Sequence, residues 1–162
     1  MSLPVEIERK FLVCGDGWQA LSESRRFIRQ GYLSQPGGTT VRVRRKDDSA
    51  TLTIKGPTDG MARVELEYPI PVEHAEYLLT EACQRPPVEK LRHKLWVHGQ
   101  LWVVDVYQGA NQGLLTAEVE LIHADQKVSL PRWIGREVTD DPRFRNSSLY
   151  HLPYGEWVVA AE

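Results

Sequence analysis

The chain has 162 residues, 41% of them hydrophobic and 26% charged, with a net charge of −2 at pH 7. That length fits one domain, read here as 1–162, and the near-balanced charge excludes the overall basic excess of a general nucleic-acid binder while leaving room for a local basic patch. A basic stretch followed by an apolar run is absent, no run reaches membrane-spanning length, and Cys14 and Cys83 form no CxxC, so the expectation is a cytoplasmic protein with reduced thiols.

The first predicted strand is Glu6-Ile7-Glu8-Arg9-Lys10-Phe11-Leu12-Val13. With period two, Glu6, Glu8 and Lys10 share one face, while Ile7 and Phe11 lie on the other. Gly15-Asp16-Gly17 breaks it, and Trp18 to Ser24 is expected to form a short helix. Phe27 to Ser34 is the second strand, with Ile28, Gln30 and Tyr32 on one face. Gln35-Pro36-Gly37-Gly38 is a turn signal. Thr40 to Lys46 places Arg42 and Arg44 together, and Ala50 to Lys55 places Thr51, Thr53 and Lys55 together. Arg63 to Ile70 alternates Arg63, Glu65 and Glu67 with Val64, Leu66 and Tyr68.

Pro71 suits the first turn of a helix. The helix carries an apolar stripe of Val72, Ala75, Leu78 and Leu79, and ends before Arg85-Pro86-Pro87. Val88 to His98 aligns Lys90, Arg92 and Lys94, and His98-Gly99-Gln100 turns into Leu101 to Gln108, which aligns Val103, Asp105 and Tyr107. Leu115 to Ile122 alternates Glu118 and Glu120 with Val119 and Leu121. Asp125 to Leu130 is expected to be a short helix stopped by Pro131. The tail from Trp133 to Glu162 has weak periodicity, with a turn at Asp140-Asp141-Pro142 and a helical turn at Asn146 to His151.

A single alternation of charges is usually a solvated sheet face with cross-strand ion pairs. Here it recurs on six or seven of eight strands joined by short connections. The inference is an eight-stranded antiparallel closed barrel turned inside out, mainly β with covering helices. Its lumen would be charged and its aliphatic residues would lie outside, under the Pro71 helix and the Trp133–Trp157 region. Carboxylates crowded without Cys or His favour a hard ion such as Mg²⁺ or Mn²⁺. Arginine forks and lysine point charges match phosphate oxygens. An acidic wall facing a basic wall therefore suits a metal-bound polyphosphate. No GxxxxGK[ST] loop is present, and His74, His93, His98, His123 and His151 show no metal-ligand spacing.

The ordered series Glu6-Ile7-Glu8-Arg9-Lys10, Val41-Arg42-Val43-Arg44, Thr53-Ile54-Lys55, Glu65-Leu66-Glu67, Glu89-Lys90-Leu91-Arg92, Val104-Asp105-Val106-Tyr107 and Glu118-Val119-Glu120 resembles the CYTH superfamily, the triphosphate tunnel metalloenzymes. Gln30-Gly31-Tyr32-Leu33 and Asn146-Ser147-Ser148-Leu149 extend the likeness over nearly the whole chain. The resemblance implies a tunnel that binds triphosphate with Mg²⁺ or Mn²⁺. It implies metal ligands at Glu6, Glu8 and Glu120 with Glu118 nearby, and further acidic positions at Glu65, Glu67 and Asp105. It implies phosphate ligands at Lys10, Arg42, Arg44, Lys55, Lys90 and Arg92. Lys10, Tyr32 and Lys90 match positions that influence which phosphate bond is attacked, and Lys10 and Lys90 are also candidates for a lysine of lowered pKa acting as general base.

The leading expectation is a metal-dependent tripolyphosphatase, a hydrolase that splits inorganic triphosphate into pyrophosphate and phosphate. Within the family the alternatives are class IV adenylate cyclase and thiamine triphosphatase. Outside it stands a non-catalytic polyphosphate-binding module, which would have no need of the acids. The implied partner is a small-molecule triphosphate, with no nucleic acid and no membrane; a homodimer is left open. The aromatics Tyr150, Tyr154 and Trp157 are expected to pack over the barrel.

Overall fold

The computed structural model describes residues 2–157. Among the described residues nine strands form: β1 Val5–Val13, β2 Ser24–Tyr32, β3 Thr40–Lys46, β4 Ser49–Lys55, β5 Ala62–Pro69, β6 Val88–Val97, β7 Gln100–Gln108, β8 Leu115–Glu120 and β9 Ile134–Glu137. Three short helices join them: α1 Val72–Tyr77, α2 Asn146–His151 and α3 Tyr154–Trp157. The sheet order is β5-β4-β3-β2-β6-β7-β8-β1, and β1 pairs again with β5, so eight antiparallel strands close into a barrel. None of the described helices is long and apolar enough to cross a membrane.

Closure depends on β1 serving three neighbours. Its first residues pair with β5 (Val5↔Val64, Glu6↔Arg63, Ile7↔Ala62), and Glu8 to Leu12 pair with β8. Phe11 pairs with Ala117 of β8 and also with Glu137 of β9, so β9 takes over the edge that β5 leaves. β9 lies in the stretch read from the sequence as weakly periodic. Four residues, one of them glycine, carry too little alternation to announce a strand, and an open edge on β1 is what recruits it.

Tight turns hold the long hairpins in register. His98 and Gly99 both have positive φ, 50° and 73°, which is the backbone of a two-residue hairpin turn matched to strand twist. Asp47 also has a positive φ, 49°, and its carboxylate accepts a hydrogen bond from the Phe27 amide.

The apolar side chains pack on the outer face of the wall, in two clusters. Phe11, Trp18, Leu95, Trp102, Val104, Ala117, Val119 and Trp133 form one. Val43, Ala50, Ala75 and Leu79 form the other, with Leu52, Val72 and Leu78 against it, under α1. Glu76 of α1 receives Arg29 of β2 at 3.1 Å and Arg45 of β3 at 3.0 Å, which fixes the helix over those strands. Each fully buried aliphatic or aromatic side chain here contributes about 1.5–3 kcal/mol.

A third cluster differs from the expected outer cover. Tyr32, Val88 and Tyr107 belong to the lumen faces of their strands, yet they pack with Val138, Phe144, Leu149 and Tyr150, with Tyr154 and Trp157 alongside. The tail therefore does not simply lie over the wall: it plugs part of the barrel's interior. The packing role expected for Tyr150, Tyr154 and Trp157 holds, and residues 158–162 of that tail lie outside the described residues. Two expected helices are absent. Trp18 to Ser24 supplies only a short turn, Gln19–Leu21, because Ser24 already pairs with Lys94 of β6. Asp125 to Leu130 is not helical: Asp125 bonds His123, and the Gln126 side chain accepts from the Ile122 amide, so local side-chain bonds replace the helical ones.

Gly31 faces α1 and its following turn with no space for a side chain. A Cβ there would sit 2.8 Å from Cys83 Sγ and 3.2 Å from Leu79 Cδ2. Gly31→Ala is expected to lower unfolding stability by about 1–3 kcal/mol through overpacking. Urea denaturation measures it, and an unchanged midpoint would remove the close contact between β2 and this turn.

Candidate functional site

Register brings the charged positions together before any side chain is considered. Cross-strand partners share a face of the sheet, so each pair below is on the same side of the wall. Glu8 stands opposite Glu120, Lys10 opposite Glu118, and Glu6 opposite Arg63. Arg42 stands opposite Tyr32 and Thr53, Arg44 opposite Gln30 and Thr51, and Lys55 opposite Glu65. Lys90 stands opposite Tyr107 and Arg92 opposite Asp105. Every residue singled out from the sequence as a site candidate falls on this inner face.

A relay of ion pairs crosses the lumen. Lys10 Nζ lies 3.1 Å from one Glu118 oxygen, and Arg92 Nη2 lies 3.5 Å from the other. Arg92 also grips Asp105 with two hydrogen bonds of 2.8 Å, and Lys90 Nζ donates to Asp105 at 2.7 Å. Burial alone would raise the Glu118 carboxyl, but Lys10 and Arg92 bring it down to about 2. Burial likewise opposes the ionisation of Asp105, and Arg92 and Lys90 overcome it, holding that carboxylate well below its usual range. Burial would lower Lys10, but Glu118, Tyr107 and Glu8 raise it above the ordinary lysine range. Lys90 goes the other way. It is completely buried beside Arg92 and Arg44, and its amine is pushed well below the ordinary value. Of the two lysines expected to be lowered, only Lys90 is.

The acids are not alike. Glu6 is half-buried, which favours its neutral form, but Lys55 at 2.5 Å brings its pKa below the ordinary value. Glu65 and Glu67 lie 3.8 and 3.9 Å from Arg42. Glu8 has no ion pair among the described residues, and burial together with Glu118 and Glu6 raises its carboxyl to about 7. Glu120 is exposed and is likewise unpaired there. Among the described residues, no three of His, Cys, Asp and Glu stand together as a ready group of metal ligands. Glu6 and Glu118 are drawn onto lysine and arginine instead.

These side chains border a cavity of about 110 Å³, lined by Glu6, Glu8, Lys10, Tyr32, Arg42 and Lys55 on the barrel side. The tail closes it with Thr139, Arg145 and Asn146. Arg42 donates to Thr53 Oγ1 at 3.1 Å, but its buried Nε has no partner among the described residues, an orphaned donor suited to an anion oxygen. Asn146 Oδ1 accepts from Tyr107 at 2.8 Å and from Lys90 at 3.3 Å, and Phe144 O accepts from Lys10 at 3.1 Å. The tail thus positions two of the lysines. Reading the strands alone missed Asn146 and Arg145 as site residues; the signals were the family likeness at Asn146-Ser147-Ser148-Leu149 and a polar Arg-Asn-Ser-Ser run directly before the apolar Leu149-Tyr150.

Comparison with known proteins agrees with this architecture. An inorganic triphosphatase of Acetivibrio thermocellus is 45% identical over 149 residues, covering 92% of this chain and 95% of that protein. An inorganic triphosphatase of Nitrosomonas europaea is 36% identical over 148 residues, covering 89% and 95%. A crystal structure of an inorganic triphosphatase superposes with a TM-score of 0.64 at 36% identity, covering 90% of this chain and 93% of that one. Residues 4–149 match the CYTH domain, and the chain belongs to the CYTH family.

Proposed function

We propose that this chain hydrolyses inorganic triphosphate to pyrophosphate and phosphate in the barrel lumen with the help of a divalent cation. The observation that carries this reading is the closed lumen itself, in which one acidic corner faces a wall of cations over a cavity of about 110 Å³. That volume is below the range of pockets for organic ligands of drug size. It and the adjoining stretch of lumen, lined by charged residues and serine with no aromatic side chain, suit an inorganic anion better than one carrying a nucleoside or thiamine portion. The cyclase and thiamine triphosphatase readings therefore stand behind this one. The two relatives described as inorganic triphosphatases support the same choice.

The donor set fits a hard divalent ion. It is all carboxylate, and Glu8 holds a proton near neutral pH that a cation would replace. Glu6, Glu8 and Glu120, with Glu118, would hold it, and Glu65, Glu67 and Asp105 are the further acids of the lumen. When bound, such an ion neutralises phosphate charge and lowers the pKa of a coordinated water.

The chain's own residues do the rest. Arg42 and Lys55 line this cavity and bind and orient the phosphate oxygens, with Arg42 Nε already unsatisfied, and Arg44 and Arg92 extend the cationic wall along the adjoining stretch of lumen. Lys10, kept charged by Glu118, stabilises negative charge that builds on the phosphate being transferred. Tyr32 borders the cavity, and Lys90, fully buried behind it, is held by Asp105 and by Asn146 of the plug. The plug limits access of bulk water to this side.

Phosphate release from inorganic triphosphate and from ATP, each with Mg²⁺ and Mn²⁺, tests the reading. Metal-dependent release from triphosphate with ATP at least 100-fold poorer is expected. Cyclic AMP from ATP would replace it with the cyclase reading. Divalent-ion affinity is expected to fall up to tenfold for each pH unit below about 7, because the Glu8 proton competes, and calorimetry in buffers of different ionisation heat should detect its release.

Glu8 also links function to stability. A carboxyl raised by folding binds its proton more tightly folded than unfolded. Its contribution is whole below the ordinary carboxylate range and is lost as pH rises through about 7. Glu8→Gln is therefore expected to abolish turnover yet unfold later than wild type at pH 8, by on the order of 1–3 kcal/mol, and to match wild type at pH 5. Destabilisation at both pH values would make Glu8 a structural acid.

A further inference from the structure

A neutral side chain sits within the charged wall. Gln30 of β2 is completely buried on the inner face, opposite Arg44 of β3 and Val88 of β6. It stands two residues before Tyr32, so both side chains project to the same side of the strand. Its amide is bonded at both ends. The Oε1 atom accepts from Arg44 Nε at 2.8 Å, and Nε2 donates to the Tyr32 hydroxyl at 3.0 Å.

The amide fits this place in a single orientation. Arg44 Nε–H donates and cannot accept. Turning the amide over would set its NH₂ group against that donor, hydrogen facing hydrogen, at a residue buried from water. Arg44 therefore fixes Oε1 toward itself and Nε2 toward Tyr32. A phenol hydroxyl has one proton to give and lone pairs to accept with. Because Gln30 donates to it, Tyr32 must carry its own proton on another side of the oxygen. No group among the described residues accepts that proton. The ring itself is held: Tyr32 is buried, packs against Tyr150 with centroids 5.5 Å apart, and borders the lumen cavity beside Lys10 and Arg42. What remains free is rotation about the C–O bond, and Gln30 removes it.

We propose that Gln30 is a positioning residue that aims the Tyr32 hydroxyl proton at the anion in the lumen cavity, with Arg44 setting the direction of the amide. The identity of that anion rests on the triphosphate reading. A donor aimed in advance at a phosphate oxygen costs no reorganisation when the anion arrives. Arg44 thereby reaches beyond its own surroundings. Its guanidinium borders the adjoining stretch of lumen, and its Nε acts on Tyr32 through one intervening amide.

A double-mutant cycle tests this. Gln30→Glu keeps the shape, still accepts from Arg44, and offers Tyr32 an acceptor in place of a donor, so the phenol proton turns from the cavity to the carboxylate. Tyr32→Phe keeps the ring and removes the hydroxyl. Calorimetry without divalent metal, with inorganic triphosphate as the probe, is expected to show about tenfold weaker binding for Tyr32→Phe. The loss caused by Gln30→Glu should be about tenfold larger in the wild-type background than in the Tyr32→Phe background. The added charge weakens binding in both backgrounds and cancels in that ratio. Gln30→Met removes the amide without adding charge and should show coupling of the same sign, about two- to threefold, because the proton then divides between its two in-plane positions. In the triphosphatase assay the coupling should reappear in kcat/KM. Equal losses from Gln30→Glu in the two backgrounds overturn the proposal, because Gln30 would then act through Arg44 or through packing alone. So does a wild-type protein that binds no triphosphate. Binding with the expected coupling, but without phosphate release in Mg²⁺ or Mn²⁺, would sink the hydrolytic reading and leave the positioning of Tyr32 standing.

Discussion

The Lys10–Glu118–Arg92–Asp105–Lys90 relay is the constraint on which the rest depends. Charges taken out of water lose several kcal/mol each in effective solvation, and their mutual attraction offsets that only with good geometry and further hydrogen bonds. Here the geometry comes from the barrel. Lys10 and Glu118 are cross-strand partners, as are Arg92 and Asp105, so the pairs meet without either side chain having to search. Asn146 and Phe144 O then take donors that the carboxylates do not. Removing the tail's contacts would leave Lys90 and Lys10 with fewer partners in a space closed to water.

A charged interior also dictates where the apolar residues go. A small barrel normally fills itself with side chains. Here the inner face is occupied by charge, so the cohesive packing lies on the outer face, and needs something to cover it. α1 covers one sector and the Trp18 and Trp133 segments another. The plug is a compromise between the two demands. It brings Phe144, Leu149 and Tyr150 into the lumen, where Tyr32, Val88 and Tyr107 offer an apolar floor, and the same segment carries Asn146 to Lys90.

What was legible in the sequence follows from period two. Alternation along Glu6 to Lys10, Arg42 to Arg44 and Glu118 to Glu120 reveals a shared face, and closure turns a shared face into a lumen. β3 is bounded by the same residues in the sequence and in the structure. Pairing partners were not legible, because register belongs to two strands at once. The branching of β1 among β5, β8 and β9 is of this kind. So is the difference between Lys10 and Lys90: both look like lysines among bases, yet one faces Glu118 and Glu8 and the other shares Asp105 with an arginine. The net charge of −2 concealed the local excess of cations, since a sum over the chain carries no positions.

Glu8 shows what the scaffold leaves unresolved on its own. Most lumen acids are answered: Glu6 by Lys55, Glu118 by Lys10 and Arg92, Asp105 by Arg92 and Lys90. Glu8 faces Glu120 across the ladder and has Glu6 two residues before it, and burial, with Glu118 and Glu6 close by, raises its carboxyl to about 7. On the opposite side, Arg42 and Arg44 lack close carboxylate bonds and Arg42 Nε lacks any partner among the described residues. A fold that tolerates both an unanswered acid and unanswered bases in one closed lumen, without letting them pair with each other, holds them apart by register. Their separation is what permits a cation and a polyanion to enter together, each satisfying the charge the other leaves exposed.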